Sequence, residues 1–392
     1  MIIKPSHRIG EVKAYYFATK LAQIADMNQS GVEVINLGIG SPDMLPPPEV
    51  IDELKNAADH LNANKYQSYK GIPELRSAFA EHYDQRLKVS IDSDTEVLPL
   101  IGSKEGIMHI AMSFLSPGDE VLVPNPGYPS YRVTTELAGA SARYYDLTAD
   151  TSWLPDLKKL GRQDLNKVKI MWINYPHMPT GAKVELSFYE ELVDFALKHN
   201  ILICHDNPYN YILNDHPLSI FNVPRARECA IELFSLSKCY NMAGWRVGAL
   251  IGAKEYIDTV MRFKSNMDSG MYRAVQKAAI VALSMGDDWF EQINEVYRKR
   301  RIIVWRLFDL LDCSYEKESV GMFVWAKVPD YIADVESWVE SILQQTRVFI
   351  TPGFIFGTNG ERYVRIALCS DVATLKSACE KIEQLFVKSI AQ

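Results

Sequence analysis

Short apolar runs alternate with helical patterns between residues 100 and 255, and this alternation constrains the fold more than any other feature of the sequence. Strands separated by helices are typical of a mostly parallel sheet flanked by helices, which is an α/β fold. The candidate strands are residues 120–123, 169–173, 201–205, 231–234 and 247–251. Between two of them, Ser187 and Glu190 have the spacing of a capping box, which predicts the start of a helix.

The two ends of the chain are predicted to form a smaller α+β domain. Apolar residues recur at helical spacing from 289 to 311, which predicts one long helix that leaves the sheet. Beyond it, the pattern predicts strands at 322–327, 347–351 and 363–368, and helices near 334–345 and 372–388. Three prolines at 46–48 suit a stiff connector. We therefore divide the chain into an N-terminal segment of the small domain (1–45), a large domain (46–288) and a small C-terminal domain (289–392).

The composition predicts a chain that is folded throughout. Of the 392 residues, 47% are hydrophobic and 23% are charged, which is ordinary for a globular fold. The formal net charge is −7, and no run of Lys or Arg is long enough to form a basic arm, so we expect no nucleic-acid partner. A short basic cluster at 298–301 lies inside a helical pattern, and we interpret it as a solvated helix face.

The cysteines and the N-terminal residues indicate a cytoplasmic protein. The six cysteines include no CxxC pair and have no zinc-like spacing to the eight histidines, which favours a reducing compartment and no metal site. The N-terminal residues lack the apolar core of a signal peptide. No run of about 18 uninterrupted apolar residues occurs, so we expect no membrane association.

Polar side chains follow two of the candidate strands, at the edge where an open parallel sheet binds its ligands. They are Asp206 and Tyr209 after the strand at 201–205, and Ser235, Ser237 and Lys238 after the strand at 231–234. Pyridoxal phosphate needs this combination, because a lysine binds its aldehyde as a Schiff base and a carboxylate pairs with its ring nitrogen. Its ring oxygen takes a donor, and its phosphate takes hydroxyl and N–H groups. The sequence therefore predicts a pyridoxal phosphate site at this edge.

The segment GSKEGI at 102–107 is a candidate for binding the phosphate group. It opens a predicted helix, so Ser103 and the backbone N–H groups of the first turn would face an anion. Arg246, eight residues after Lys238, would add a bidentate contact. Alone, a Gly-Ser helix start is more often only a cap, and an aspartate after a strand is often a turn residue. The order of these residues and their positions at strand ends favour the cofactor site.

Several further motifs occur in a recognisable order. They are GVEVINLGIGSPD at 31–43, YQSYKGIPELR at 66–76, PNPGYPSY at 124–131, PTG at 179–181, DNPY at 206–209, SLSKCYNMAGWRVG at 235–248 and YVRIAL at 363–368. With GSKEGI, they make the sequence resemble the class I and II aminotransferases, which are fold-type I pyridoxal phosphate enzymes. The resemblance covers nearly the whole chain. It implies an amino acid and a 2-oxo acid as substrates, and a homodimer with shared active sites.

The resemblance implies catalytic roles for three residues. Lys238 matches the Schiff-base lysine, which afterwards moves a proton between the substrate α-carbon and the cofactor. Asp206 matches the carboxylate that keeps the pyridine nitrogen protonated. Tyr209 matches the tyrosine that donates a hydrogen bond to the ring oxygen.

The resemblance also implies which residues surround the cofactor and the substrate. Tyr128 matches the aromatic residue that stacks on the cofactor ring, and Tyr66 matches a tyrosine that reaches the phosphate across the dimer interface. Arg365 matches the arginine that binds the substrate α-carboxylate, for which its planar fork is suited. Gly40 matches the glycine whose backbone approaches the same carboxylate. The residues expected around the phosphate are Ser103, Lys104 through its backbone, Ser235, Ser237 and Arg246.

One departure from the family pattern concerns the ring oxygen. This chain has HMPTG at 177–181 where the family usually has Asn-Asn-Pro-Thr-Gly, so Met178 replaces the asparagine that donates to that oxygen. Methionine has no N–H or O–H group to donate. We expect a raised Schiff-base pKa, or Tyr209 as the main donor, and no loss of activity.

The segment KSNMDSGMYRAVQ at 264–276 and the segment AYYF at 14–17 resemble the branch that contains the LL-diaminopimelate aminotransferases. By this resemblance Tyr15, Lys104 and Asn266 approach the substrate, and Asn266 comes from the partner chain. The segment at 66–76 is shorter than the corresponding loop of the diaminopimelate enzymes. The identity of the amino donor is therefore left open.

Three functions are compatible with these residues. The first is an aminotransferase, with glutamate and 2-oxoglutarate as one expected pair. The second is a carbon–sulfur β-lyase, which uses the same cofactor and releases pyruvate and ammonia. The third, a non-catalytic binding protein, is disfavoured because the expected cofactor and substrate residues are all present. The resemblance favours the aminotransferase.

Overall fold

The computed structural model describes residues 3, 4, 6–10 and 16–390. Its helices are α1 (His7–Gly10), α2 (Tyr16–Gln29), α3 (Pro48–Ala58), α4 (Pro73–Leu87), α5 (Ser103–Phe114), α6 (Ser130–Leu137), α7 (Leu157–Leu160), α8 (Leu186–His199), α9 (Leu236–Cys239), α10 (Lys254–Lys264), α11 (Arg273–Leu283), α12 (Asp287–Leu310), α13 (Val335–Thr346) and α14 (Val372–Ile390). None of these helices has the length and apolar content needed to cross a membrane.

The strands fall into three sheets within the described residues. They are β1 (Ile35–Asn36), β2 (Val97–Leu100), β3 (Glu120–Asn125), β4 (Ser141–Asp146), β5 (Val168–Ile173), β6 (Leu202–Asn207), β7 (Ala230–Ser235), β8 (Gly248–Gly252), β9 (Ser314–Tyr315), β10 (Phe323–Lys327), β11 (Val348–Phe349), β12 (Thr351–Pro352) and β13 (Tyr363–Ala367). The largest sheet has the order β2-β8-β7-β6-β5-β3-β4.

The large sheet is mostly parallel and is buried on both faces. Strands β4, β3, β5, β6 and β7 pair in parallel, whereas β8 is antiparallel to both β7 and β2. Alternate residues of β5 enter different apolar cores: Met171 and Ile173 pack in one, and Ile170 and Trp172 pack in the other. A strand with two buried faces must be apolar throughout, which explains the continuous apolar runs in the sequence. The predicted α/β fold with a mostly parallel sheet is confirmed.

Most of the predicted elements are present, with two kinds of error. The five predicted strands of this sheet occur as β3 and β5–β8, whereas β2 and β4 were not predicted. The predicted capping box is wrong, because α8 begins at Leu186 and its N-cap position is Glu185, which makes no side-chain cap. Ser187 therefore lies inside the first turn, beyond the extended position that a capping residue occupies.

The N-terminal segment and the C-terminal part of the chain meet in the small sheets. Strand β1 pairs in parallel with β11, and β12, β13, β10 and β9 form an antiparallel sheet in that order. The long predicted helix is present as α12. The predicted strand at 347–351 is instead two short strands, β11 and β12, that belong to different sheets. The domain boundaries at residues 45 and 288 stay a prediction.

The basic cluster of α12 is only partly a solvated face. Arg298 and Lys299 are exposed and pair with glutamates of the same helix, as predicted. Arg300 is buried, and its Nη1 and Nη2 donate to the two carboxylate oxygens of Asp43 over 2.6 and 2.8 Å. Its Nη1 also donates to the carbonyl oxygen of Leu368 over 2.9 Å. The interpretation as a solvated face is wrong for Arg300. Successive residues of a helix point about 100° apart, so four consecutive basic residues cannot all lie on one face.

Replacement of Arg300 by alanine should destabilise the fold by about 3 kcal/mol, because it leaves the partly buried carboxylate of Asp43 without its buried partner. Urea unfolding followed by circular dichroism measures this loss. The matched control is Arg298→Ala in the same helix, whose exposed ion pairs should contribute far less. Equal losses in the two variants would contradict the structural role of Arg300.

Candidate active site

A cavity of about 420 Å³ opens at the carboxyl ends of the parallel strands. Loops and helix N-termini converge at this edge of an open α/β sheet, so ligands bind there. Most of the residues predicted from the sequence line this one cavity. They are Gly40, Ser103, Lys104, Tyr128, Asp206, Tyr209, Ser235, Ser237, Lys238, Arg246 and Arg365.

Two predicted residues that the structure describes are not part of this lining. Tyr66 is 92% exposed, and Asn266 is also exposed, with its side-chain amide donating to the carbonyl oxygen of Arg262. Both were expected to serve the partner chain's site, and exposure on a single chain is compatible with that expectation. Tyr15 lies outside the described residues.

Lys238 projects into the cavity from the short helix α9. The hydroxyl of Ser235 accepts a hydrogen bond from the N–H of Ser237 over 3.2 Å and so fixes the start of this helix. The Nζ of Lys238 donates to the carbonyl oxygen of Gly40 over 2.5 Å. Burial lowers the pKa of Lys238, and the guanidinium of Arg365 lowers it further. A lowered pKa increases the fraction of neutral amine, which is the form that attacks a carbonyl.

Asp206 lies near the end of β6 and is held from two sides. The hydroxyl of Tyr131 donates to its Oδ2 over 2.8 Å, and the side-chain amide of Asn174 donates to its carbonyl oxygen over 2.6 Å. Burial raises the pKa of Asp206 to about 6, so the carboxyl is mostly ionised at neutral pH. Its Oδ1 is buried and has no hydrogen-bond partner within the described residues. This oxygen can accept a hydrogen bond from a ligand in the cavity.

The N-terminus of α5 and Arg246 form a cationic end of the cavity. Helix α5 begins at Ser103, directly after Gly102, which has the positive φ of 86°. A side chain at Gly102 would collide with the guanidinium of Arg246, so the glycine allows this close approach. Free N–H groups, a hydroxyl and a guanidinium together suit a phosphate.

Arg365 lies in β13 and is enclosed by aromatic rings. Its Nη2 donates to the carbonyl oxygen of Gly38 over 2.7 Å. Its guanidinium lies 4.1 Å from the ring centre of Phe323 and 4.6 Å from that of Phe356. These rings hold the planar guanidinium in place at the cavity wall without neutralising its charge. An anion such as a carboxylate is the ligand that this arrangement suits.

The lining therefore fits pyridoxal phosphate at each of its functional groups. Lys238 can bind the aldehyde, the free Oδ1 of Asp206 can accept from the ring nitrogen, and the start of α5 can hold the phosphate. Burial raises the pKa of Tyr209, so its phenol stays protonated and can donate. These roles are the ones predicted from the sequence, and they stay predictions.

Comparison with known proteins identifies the family. The model of the aminotransferase class I and II family matches residues 32–382. The chain belongs to the class I and II aminotransferases. It is a transaminase that depends on pyridoxal phosphate.

Relatives and solved structures match this aminotransferase over almost its full length. LL-diaminopimelate aminotransferase of Dehalococcoides mccartyi is 41% identical, over 97% of this chain and 98% of the relative. The enzyme of the same name from Aquifex aeolicus is 40% identical, also over 97% and 98%. The substrate-bound structure of BacF from Bacillus subtilis superimposes with a TM-score of 0.93 at 32% identity, over 98% of each chain.

Two polar cavity residues that contact Asp206 were missed by the sequence analysis. Asn174 follows β5 directly, so the strand-end rule that found Asp206 applies to it as well. Tyr131 lies three residues after Tyr128 in the same motif, and its ring stacks on Trp172 with centres 4.8 Å apart. Both residues orient Asp206, and only the three-dimensional structure shows that their side chains turn towards it.

Met178 is buried at the cavity wall, in contact with the predicted substrate arginine. Its Sδ lies 3.4 Å from Nη1 of Arg365, and its backbone N–H donates to Oδ1 of Asn174 over 2.8 Å. Residue 178 therefore has a fixed backbone position, and its side chain supplies no hydrogen-bond donor to the cavity.

Replacement of Met178 by asparagine should lower the pH midpoint at which the visible absorbance of the bound cofactor changes. The added amide donor favours the deprotonated form of the cofactor, in which more charge resides on the ring oxygen. The measurement is a spectrophotometric pH titration of the reconstituted protein. Met178→Leu adds no donor and should leave the midpoint in place. An unchanged midpoint in Met178→Asn would show that this side chain does not reach the ring oxygen.

Proposed function

We propose that this aminotransferase moves the amino group of an L-amino acid to a 2-oxo acid, with glutamate and 2-oxoglutarate as one substrate pair. The observation that carries the proposal is the set of cations in the cavity. Four of them line it, namely Lys104, Lys238, Arg246 and Arg365. With Lys238 and Arg246 assigned to the cofactor, we assign Arg365 to the α-carboxylate of the substrate, the role that its motif implies. Lys104 then remains for the distal carboxylate of a dicarboxylic substrate.

The residues of the chain have separate tasks in this reaction. Bound pyridoxal phosphate supplies an electron sink for the carbanion that forms at the substrate α-carbon. Arg365 would orient the substrate, and the Nζ of Lys238 would be the base that takes the proton from the α-carbon and the acid that delivers it afterwards. Asp206 would hold a proton on the ring nitrogen by accepting a hydrogen bond at Oδ1. Tyr209 would donate to the ring oxygen.

The amino donor is proposed only as an L-amino acid. The relatives named LL-diaminopimelate aminotransferase make LL-diaminopimelate one donor to test. The apolar part of the cavity wall, which includes Phe17, Leu21 and Ile39, also suits an aliphatic or aromatic side chain.

Addition of single amino acids to the reconstituted protein, without any oxo acid, should convert the visible spectrum to that of the pyridoxamine form. We expect this conversion with L-glutamate and with at least one further amino acid from a panel that includes LL-diaminopimelate. Subsequent addition of 2-oxoglutarate should restore the original spectrum. Lys104→Met should raise the KM for 2-oxoglutarate by roughly fivefold, because Lys104 is exposed and an exposed ion pair contributes at most about 1 kcal/mol.

The same experiment distinguishes an aminotransferase from a β-lyase. Release of pyruvate and ammonia without formation of the pyridoxamine form would identify a β-lyase. Conversion by other amino acids but not by glutamate would contradict the proposed pair and leave the transaminase in place.

We also propose that the enzyme is a homodimer whose active sites use residues of both chains. Exposed apolar side chains lie on two segments: Leu61, Tyr66 and Tyr69 on one, and Met267 and Tyr272 on the other. The segments touch at Gly270, where an added side chain would lie 2.8 Å from backbone oxygens of the first segment. Exposed apolar side chains on neighbouring segments are typical of a protein interface. Tyr66 and Asn266 lie on the same two segments.

Mixed dimers of Tyr66→Ala and Lys238→Ala chains should recover activity, whereas each variant alone should be weak or inactive. In a mixed dimer one site carries both substitutions and the other carries neither, so one intact site remains. The assay is the amino-transfer rate after joint refolding, with light scattering to confirm the dimer. An active monomer, or no recovery in a mixture with proven exchange, would contradict the shared site.

A cytoplasmic location is part of the proposal. All six cysteines are free thiols, and Cys204, Cys239 and Cys313 are buried with raised pKa values. Burial causes these shifts and keeps the thiols unreactive. Unpaired thiols are typical of proteins from reducing compartments.

A further inference from the structure

A histidine–glutamate pair is buried in the large sheet directly behind Asp206. His205 precedes Asp206 in β6, and successive side chains of a strand point to opposite faces, so His205 lies on the face away from the cavity. Glu232 is its register partner in β7, and both side chains are completely buried. The tasks assigned above to the cavity residues do not involve this pair.

The hydrogen-bond partners of His205 favour a proton on each ring nitrogen. Its Nδ1 lies 2.6 Å from Oε2 of Glu232, and its Nε2 lies 3.0 Å from the carbonyl oxygen of Tyr175. A carbonyl oxygen and an ionised carboxylate can only accept, so each of these two contacts is a hydrogen bond when the ring nitrogen donates. The hydroxyl of Tyr189, 3.2 Å from Nε2, is a further neutral contact on this side. An imidazole that carries both protons is a cation.

The partners of Glu232 are those of an ionised carboxylate. Tyr83 and Ser219 donate hydroxyl hydrogens to Oε1 over 2.6 and 3.0 Å. The N–H of Ile220 donates to Oε2 over 3.1 Å, and His205 donates to the same oxygen. Burial raises the pKa of Glu232, but the charge of His205 and these hydrogen bonds outweigh it, so the pKa is lowered. Four donors and no acceptor favour the charged form.

We propose that His205 is a positioning residue: a buried imidazolium, balanced by Glu232, whose charge holds Asp206 in the ionised form that the ring nitrogen of the cofactor needs. The inference rests on the proposed cofactor role of Asp206. The positive charge is on His205, which directly precedes Asp206 in β6. The negative charge is on Glu232, in the neighbouring strand β7. Asp206 therefore lies on the positive side of this dipole.

The surroundings of Asp206 show why such a charge is needed. Burial raises the pKa of Asp206 to about 6, and the groups that oppose this rise are the hydrogen bond from Tyr131 and the charges of His205 and Lys238. The charge at Lys238 changes when its amine forms a Schiff base, because that nitrogen can be neutral or protonated, and Tyr131 is neutral. His205 is then the positive charge that remains beside the carboxylate whatever the state of the cofactor.

The first test is the protonation of His205 in the apoprotein, measured by ¹⁵N NMR of protein labelled at the histidine rings. We expect both ring nitrogens of His205 at the protonated chemical shift at pH 7.5, with His205→Gln used for assignment. Glu232→Gln removes the counter-charge and should leave one ring nitrogen unprotonated. An unprotonated nitrogen in the wild-type protein would overturn the proposal. This measurement does not depend on cofactor binding. It therefore tests the charge of His205 even if the proposed function is wrong.

The second test is the affinity of the apoprotein for pyridoxal phosphate between pH 5 and 8. The variant Asp206→Asn serves as the reference. Its affinity still changes with pH because the phosphate of the cofactor titrates, but it has no carboxyl at position 206 to titrate. Relative to this reference, the wild-type affinity should rise with pH through a midpoint near the Asp206 pKa of about 6. In the double variant His205→Gln, Glu232→Gln, the midpoint should move up by roughly one pH unit. Replacing both charges by neutral amides avoids leaving one buried charge unpaired, which favours folding.

Tyr189→Phe is the matched control, since it removes a neutral contact of Nε2 and keeps both charges. It should leave the midpoint in place. The proposal is overturned if the double variant titrates like the wild type, or if Tyr189→Phe moves the midpoint as far as the double variant does. An affinity that does not change between wild type and Asp206→Asn would instead contradict the proposed role of Asp206 itself.

Discussion

The active site depends on the burial of a carboxylate and a lysine at the ends of adjacent parallel strands. Asp206 lies near the end of β6 and Lys238 follows β7, so the pairing of these two strands sets the distance between the groups. Burial raises the pKa of the acid and lowers that of the amine, which moves both groups towards their neutral forms. The surrounding hydrogen bonds and charges then decide how far each shift goes. The pKa values of Asp206 and Lys238 therefore depend on the way the sheet positions and buries them.

A second requirement is that the C-terminal part of the chain reaches the same cavity. Arg365 comes from β13, and it contacts the N-terminal segment through the carbonyl oxygen of Gly38. The ion pair between Arg300 and Asp43 joins the long helix α12 to the same segment. The close approach of Phe323 to Gly40 belongs to this junction, since an added side chain at Gly40 would lie 2.6 Å from the ring. The segment from Gly38 to Asp43 is therefore where the N-terminal part of the chain contacts the C-terminal part.

The sequence predicts the cavity residues well where position along a strand decides the outcome. Asp206 and Lys238 follow from the rule that ligands bind at the carboxyl ends of parallel strands. The rule applies equally to Asn174, which was overlooked because an amide carries no distinctive chemistry of its own. Arg300 was wrongly placed on a solvated face, because the local pattern does not show that Asp43 comes to lie against that side of the helix.

Other features depend on contacts between distant segments and leave no local signal. The rings around Arg365 come from β10 and from the turn that contains Phe356, and no spacing in the sequence connects them. The buried ion pair of His205 and Glu232 is a similar case, since the two residues are 27 positions apart in the chain and lie on different strands. Only the register of β6 against β7 brings the two charges together.

The most direct test of the central claim is to locate the lysine that binds the cofactor. Borohydride reduction of the reconstituted protein fixes pyridoxal phosphate to its lysine, and peptide mass spectrometry then identifies the labelled residue. The account predicts one label per chain, on the peptide that contains Lys238. A label on another lysine, such as Lys104, or no label on a protein that binds the cofactor, would contradict it.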